Sequence, residues 1–117
     1  MTPATTTPRR WVEAIYEFLR KQEDQSAPLR QVAEHAGAFV PPGPAWREGM
    51  AKRRTDARYR GASEDGLSEL EKLRVVRNGQ RRIILKHIHH ERRVGRLEKF
   101  ERDGRPWLRA LFLDDRF

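Results

Sequence analysis

Apolar residues in the first quarter of the chain recur with the period of a helix. Val12, Ile15, Tyr16 and Leu19 fall at i, i+3, i+4 and i+7, with Trp11 and Phe18 widening the stripe and Glu13, Glu17, Arg20 and Lys21 opposite. Thr7 and Pro8 stand just before them, a capping oxygen followed by a residue whose missing N–H costs nothing at the first helical position. The pattern predicts a helix over about 8–22 behind a flexible leader at 1–7. A polar loop from Gln22 to Ser26 leads to a shorter helix at about 29–36, built on Leu29, Val32, Ala33 and Ala36 and stopped by Gly37. Phe39 to Pro44 contains three prolines and a glycine, which break regular structure.

A third helical pattern covers about 45–60 through Ala45, Trp46, Met50 and Ala51, and Gly61 ends it. Ser63-Glu64-Asp65 can cap a further short helix with a Leu67, Leu70, Leu73 ridge. The stretch 75–94 has two readings. Asn78-Gly79, between Val75-Val76-Arg77 and Ile83-Ile84-Leu85, is a two-residue hairpin signal. The residues after Gly79 do not alternate, however, and Ile84, Leu85 and Ile88 share a helical face with Asn78 as a ready N-cap. We prefer a helix at about 79–93. A β-hairpin follows, Arg96–Glu101 and Arg105–Leu113 around an Asp103-Gly104 turn, with Pro106 confining the second strand's start to an edge.

The charge is concentrated in this last third. The chain carries a net charge of +8, and residues 74–109, with 12 Lys or Arg against 4 acids, hold +8 by themselves. Such a concentration builds the local positive potential expected for a polyphosphate partner; the competing reading is that basic segments are often only solvated surface. Arginine outnumbers lysine 20 to 5; this suits bidentate contacts to phosphate and guanine, and a GC-rich genome produces the same bias. Zero cysteines remove disulfides, thiolate metal sites and cysteine nucleophiles together. No apolar run of about 18 residues is present to span a membrane, and the N-terminus lacks a signal-peptide pattern.

The order helix, helix, irregular segment, helix, hairpin resembles the winged helix-turn-helix family of DNA-binding domains. The resemblance is carried by Trp11–Leu19, Leu29–Gly37, Gln80–Arg93 and Arg96–Leu113. About 40 residues separate the second and third helices where the family has a short turn, so 38–78 is expected to pack as an insertion within one domain at 8–113, ahead of a short tail at 114–117. The arginine bias and the Val40-Pro41-Pro42-Gly43 segment are also similar to actinobacterial and actinophage proteins. The resemblance implies an α+β fold, mainly α with a small β-hairpin. It further implies a non-catalytic, sequence-specific double-stranded DNA-binding protein, a transcriptional regulator or phage control factor of the cytoplasm and nucleoid. In that family the third helix lies in the major groove and the wing touches backbone or minor groove.

With Ile84, Leu85 and Ile88 turned inward, the outward line is Arg82, Lys86, His90 and Arg93, flanked by His89, while Ile83 falls on the polar side. Arg82 is placed for a bidentate guanine contact of about 1–3 kcal/mol discrimination, and Lys86 and Arg93 for phosphates. Asn78, Gln80 and Arg81 add contacts from the helix start, and Arg102 and Arg105 bracket the wing's turn. Lys52, Arg53, Arg54, Arg58 and Arg60 are further backbone-contact candidates. Trp11, Trp46 and Trp107 each lie in an apolar-periodic stretch and read as core or half-core residues.

Three alternatives keep their place. A winged-helix module can bind an acidic protein through a 41–74 interface, a homodimer can read paired half-sites, and RNA binding would use exposed aromatics, of which the chain offers few. His87, His89, His90 and Glu91 form the one cluster with metal-ligand chemistry, but zinc needs three or four convergent ligands with outer support. We therefore expect no metal and no cofactor. The same histidines would make DNA binding pH-sensitive. No phosphate-binding glycine loop, catalytic triad or paired-carboxylate spacing occurs, so no enzyme activity is expected.

Overall fold

The computed structural model describes residues 7–55 and 66–111. Helix α1 spans Pro8–Arg20, with the Thr7 side chain accepting from the Arg10 N–H at 3.4 Å and Pro8 opening the first turn. A 3-10 turn at Glu23–Gln25 leads into a three-residue strand β1, Ser26–Pro28, and then helix α2, Leu29–Gly37. Helix α3 covers Pro42–Thr55 and helix α4 Glu69–Arg93. Strands β2, Leu97–Arg102, and β3, Arg105–Ala110, close the chain's described part. The fold is mainly helical with a small antiparallel sheet ordered β1-β3-β2.

The hairpin forms where expected. Arg102 faces Arg105 across the turn, and Asp103 and Gly104 take φ of 54° and 75°, the left-handed pair that a two-residue turn matching strand twist requires. Strand β1 is an addition to the sequence reading. It pairs Ser26 with Arg109, Ala27 with Leu108 and Pro28 with Trp107. Three residues are too few to show alternation, and Pro28 disguises the strand, although an edge position tolerates a missing N–H.

Helix α3 begins three residues earlier than the prolines suggested. The Pro41 carbonyl accepts from the Ala45 N–H, so Pro42 and Pro44 occupy the first turn, where backbone N–H groups have no helical acceptor to lose. The largest correction concerns α4. The short 67–73 helix and the 79–93 helix are one element of 25 residues, and neither the Asn78-Gly79 hairpin nor an N-cap at Asn78 forms. Its start is a capping box: Ser68 Oγ accepts from the Glu71 N–H at 3.1 Å, and the Ser68 N–H donates to the Glu71 carboxylate at 3.2 Å. The proposed Ser63-Glu64-Asp65 cap, the Gly61 stop, the end of the 45–60 helix and residues 112–113 of the second strand lie outside the described residues, as do most of the leader and the tail.

Gly79 sits mid-helix for a packing reason. A Cβ there would overlap the Ala45 carbonyl of α3, and a Cβ at Gly49 would meet the Val75 carbonyl and side chain of α4. The two helices therefore touch backbone to backbone at these two glycines, where no side chain would fit. A small cluster of Met50, Leu67 and Val75, with Trp46 half-buried against it, seals this contact.

The main core lies between α1, α2, the C-terminal half of α4 and the sheet, with Ile15, Leu19, Val32, Ile84 and Leu108 fully buried at its centre. Trp11 is buried in it and Ile83, expected on the polar side, packs against it. Two polar groups are also sealed inside. Tyr16 Oη donates to Glu91 Oε1 at 2.6 Å, and Arg96 Nη1 donates to both Glu91 oxygens at 3.3 and 3.2 Å. Glu91 thus ties α1, α4 and the entry to β2. Burial, with the adjacent carboxylate, pushes the Tyr16 phenol well above its ordinary value of 10.

Gly79→Ala should lower stability by about 1–3 kcal/mol in urea unfolding, the usual cost of overpacking. Gly43→Ala, where a Cβ meets only the end of the Arg47 side chain, should instead leave stability equal or slightly higher. Tyr16→Phe should cost about 1.5–3 kcal/mol at neutral pH, as loss of a hydrogen bond to a charged group. In the wild-type chain stability should fall as pH rises past about 10, because the unfolded phenol ionises first. Tyr16→Phe should remove that alkaline slope in the same titration.

Candidate nucleic-acid interface

The burial pattern of α4 defines which face is free. Val75, Gly79, Ile84, Ile88 and Glu91 are buried, and Gln80 is half-buried with its Nε2 donating to the Val40 carbonyl at 3.0 Å. Leu85, expected inside, is 36% exposed. The solvent line is Arg74, Asn78, the half-buried Arg81, Leu85, His89 and Arg92, at steps of three or four residues, with Arg77 and Arg93 beside it. At 100° per residue this line is rotated by roughly a quarter turn from the Arg82, Lys86, His90, Arg93 stripe.

Helix α3 accounts for the difference. Glu48 of α3 places its carboxylate 2.7 Å from Lys86 Nζ and 3.5 Å from Arg82 Nε. The Lys86 hydrogen bond, with Arg82 beside it, holds the Glu48 carboxyl below the usual carboxylate range. Arg82 and Lys86 are therefore surface residues engaged by the insertion. His90 and Arg93 are exposed and continue the line toward the C-terminal end. With both cations accessible to solvent, these pairs contribute about 0–1 kcal/mol each.

Arg81 shares its region with α2. Its Nη2 stands 3.9 Å from Glu34, whose Oε1 already accepts from Arg30 Nε at 3.2 Å. Arg30, Glu34, Arg77, Gln80 and Arg81 line a cleft of about 400 Å³ between the two helices. Gly37, expected as the helix stop, ends α2 at the cleft floor, where a Cβ would lie 3.4 Å from that of Gln80.

At the hairpin, Arg105 is exposed beside the turn. Arg102 instead lies over the Trp107 ring at 4.4 Å and the Phe100 ring at 5.2 Å, leaving its donors at the edge of a cation–π stack. Arg109 covers the other side of Phe100 and bonds Asp24 and Glu98, each at 2.8 Å, so it braces the sheet. Among the basic residues of 52–60, Lys52 and Arg54 are exposed, Arg53 pairs with Glu71 at 3.2 Å, and Arg58 and Arg60 lie outside the described residues.

The histidines divide. His87 turns inward, its ring edge-on to Trp11 at 5.9 Å between centroids, whereas His89 and His90 face solvent. Glu91 is taken up by Tyr16 and Arg96, and no group of three or more His, Cys, Asp or Glu converges on a metal position among the described residues. No helix among the described residues is long and apolar enough to cross a membrane. Comparison with protein-family models, curated proteins and solved structures finds no match.

The residues that the sequence pattern missed are Arg30, Arg74, Arg77 and Arg92. For Arg74 and Arg92 the signal was present as the three-and-four spacing through Asn78 and Arg81, hidden because a glutamate and a glutamine hold inward positions while a leucine holds an outward one; Arg77 lies beside that line and Arg30 on α2.

Burial pushes the His87 imidazole below its ordinary value, against the opposing pull of Glu91. The folded imidazole is therefore harder to protonate than the unfolded one, whose ordinary value is near 6.5, so its stability contribution is full above that pH and declines as pH falls below it. Urea midpoints measured from pH 7.5 to 5 should fall by at most about 1.4 kcal/mol per pH unit for this one group, and His87→Phe should flatten that decline.

Proposed function

We propose that the protein is a non-catalytic, sequence-specific double-stranded DNA-binding protein of the winged helix-turn-helix type, a transcriptional regulator or phage control factor. Helix α4 enters the major groove and the β2–β3 hairpin rests on backbone or minor groove. The observation that carries this reading is the exposed side of α4, where Arg74 and Arg77 toward one end and Arg92 and Arg93 at the other are free of partners among the described residues, leading into a hairpin with arginines on both sides of its turn. Helices α1, α2 and α4 packed together ahead of that hairpin supply the element order of the family, with α3 as the packed insertion.

On this reading Asn78, Arg81 and Arg92 join Arg93 as the groove-facing set, with Arg74 and Arg77 meeting phosphates along the same helix. At about 1.5 Å per residue α4 is roughly 37 Å long, enough to cross the roughly 12 Å major groove with its ends on the flanking backbones. Arg105 and the edge of the Arg102 guanidinium serve the hairpin contact. Arg82 and Lys86 are recruited when a phosphate or base displaces Glu48.

A second reading rests on a different observation. Leu70 and Leu73 are each 58% exposed at the α4 start, apolar surface that suits a protein partner reaching the 41–74 insertion.

Selection from a random duplex library at physiological salt, followed by anisotropy across a salt series, separates the two. The DNA reading expects an enriched motif and log affinity falling with log salt at a slope of about −5 for six neutralised phosphates. Arg92→Ala should weaken binding about tenfold or more. Glu48→Gln, which removes an acid and frees two cations, should tighten binding severalfold and steepen the salt slope. No enrichment and no salt-dependent binding would overturn the DNA reading.

A further inference from the structure

The cleft between α2 and α4 has a charge imbalance that its own residues do not resolve. Three guanidinium groups, Arg30, Arg77 and Arg81, share it with one carboxylate, Glu34. Glu34 commits to Arg30 at 3.2 Å and reaches Arg81 only at 3.9 Å. Arg77 has no partner among the described residues, and Arg81 Nε is shielded from solvent without an acceptor among them. A shielded N–H lacking an acceptor is an unmet demand, because most such groups in folded proteins are paired.

We propose that this cleft seats a phosphate group. Guanidinium offers several N–H donors in a rigid planar fork that matches the spacing of oxyanion oxygens, and Arg77 and Arg81, one turn apart on α4, line the cleft together with Arg30 of α2. Gly37 keeps the floor low beside Gln80, so the anion sits between the helices and not upon them. The volume of about 400 Å³ exceeds a lone phosphoryl group and admits its substituent as well. Glu34 then acts as the competitor within the site, sharing Arg30 and standing beside Arg81. The same chemistry is offered by a free phosphorylated ligand and by a backbone phosphodiester, and the seat itself stands on the cleft without the duplex reading.

The test is calorimetric titration of the full chain with inorganic pyrophosphate at constant ionic strength. Saturable one-to-one binding is expected, weakened about tenfold by Arg77→Ala and tightened about threefold by Glu34→Gln. Lys99→Ala, which removes an exposed cation of β2 outside the cleft, should leave affinity within about twofold. Non-saturable binding, or equal loss in Lys99→Ala and Arg77→Ala, reflects diffuse charge and overturns the seat. Duplex anisotropy in the presence of saturating pyrophosphate identifies the source. Competition that Arg77→Ala abolishes assigns the seat to a backbone phosphodiester, and duplex binding indifferent to both assigns it to a free ligand. Absent duplex binding with the pyrophosphate pattern intact would refute the proposed function and leave the seat supported.

Discussion

Helices α3 and α4 meet through their backbones, with the Ala45 carbonyl against Gly79 and the Val75 carbonyl against Gly49. This contact explains more of the structure than its size suggests. A mid-helix glycine costs about 1 kcal/mol relative to alanine, and here the cost is offset by an approach no side chain would permit. The contact keeps α4 continuous through Asn78-Gly79, a dipeptide that in isolation favours a turn. It also gives the insertion a fixed place along the N-terminal half of α4. Once there, Glu48 projects onto Arg82 and Lys86, so the insertion determines which cations of the helix remain free.

The other end of α4 is fixed by different means. Glu91 is buried, and a buried carboxylate is tolerable only with its charge paired and its oxygens hydrogen-bonded. Tyr16 supplies one donor from α1 and Arg96 supplies the countercharge from the segment entering β2. Removing either partner would leave part of the carboxylate's desolvation unbalanced, which is why the arrangement is specific for one rotation of α4. That rotation puts Leu85 and His89 outward, and the Arg96 backbone, joined to Glu91 and Leu111, sets where the hairpin leaves the helix. The junction of helix and hairpin is thus held twice by Arg96, through its backbone bonds and through the half-exposed guanidinium on the buried Glu91.

Features set by local chemistry were legible in the sequence: the Thr7-Pro8 start, α2 to within a residue, and the Asp103-Gly104 turn. Features set by tertiary contact were not. Gly79 reads as a breaker until Ala45 is opposite it. Glu91 reads as surface until Tyr16 is against it, and Leu85 reads as core although the fold leaves it exposed. The orientation of α4 depends on those contacts, and the identity of its free cations also on α3, whose Glu48 meets Arg82 and Lys86. Ser68-x-x-Glu71 is the exception, a local capping signal that was present and was overlooked in favour of Ser63.

Of the twelve cations in 74–109, six are engaged within the fold: Arg81, Arg82, Lys86, Arg96 and Arg109 with carboxylates, and Arg102 with aromatic rings. These are not equivalent. Arg96 balances a carboxylate 5% exposed, and releasing it would strand a buried charge at a cost of several kcal/mol. The pairs made by Glu48 and Glu34 are solvent-accessible and worth at most about 1 kcal/mol each, so an incoming phosphate can exchange with them. The basic third of the chain thus holds three grades of charge: cations that build the fold, cations held loosely by a replaceable acid, and Arg74, Arg77, Arg92, Arg93, Lys99 and Arg105, which lack a partner among the described residues. The last two grades are available to a polyanion, together with the exposed edge of Arg102 over its rings. Glu48 and Glu34, by holding the middle grade, decide how much of the net charge acts at a distance and how much is released on contact.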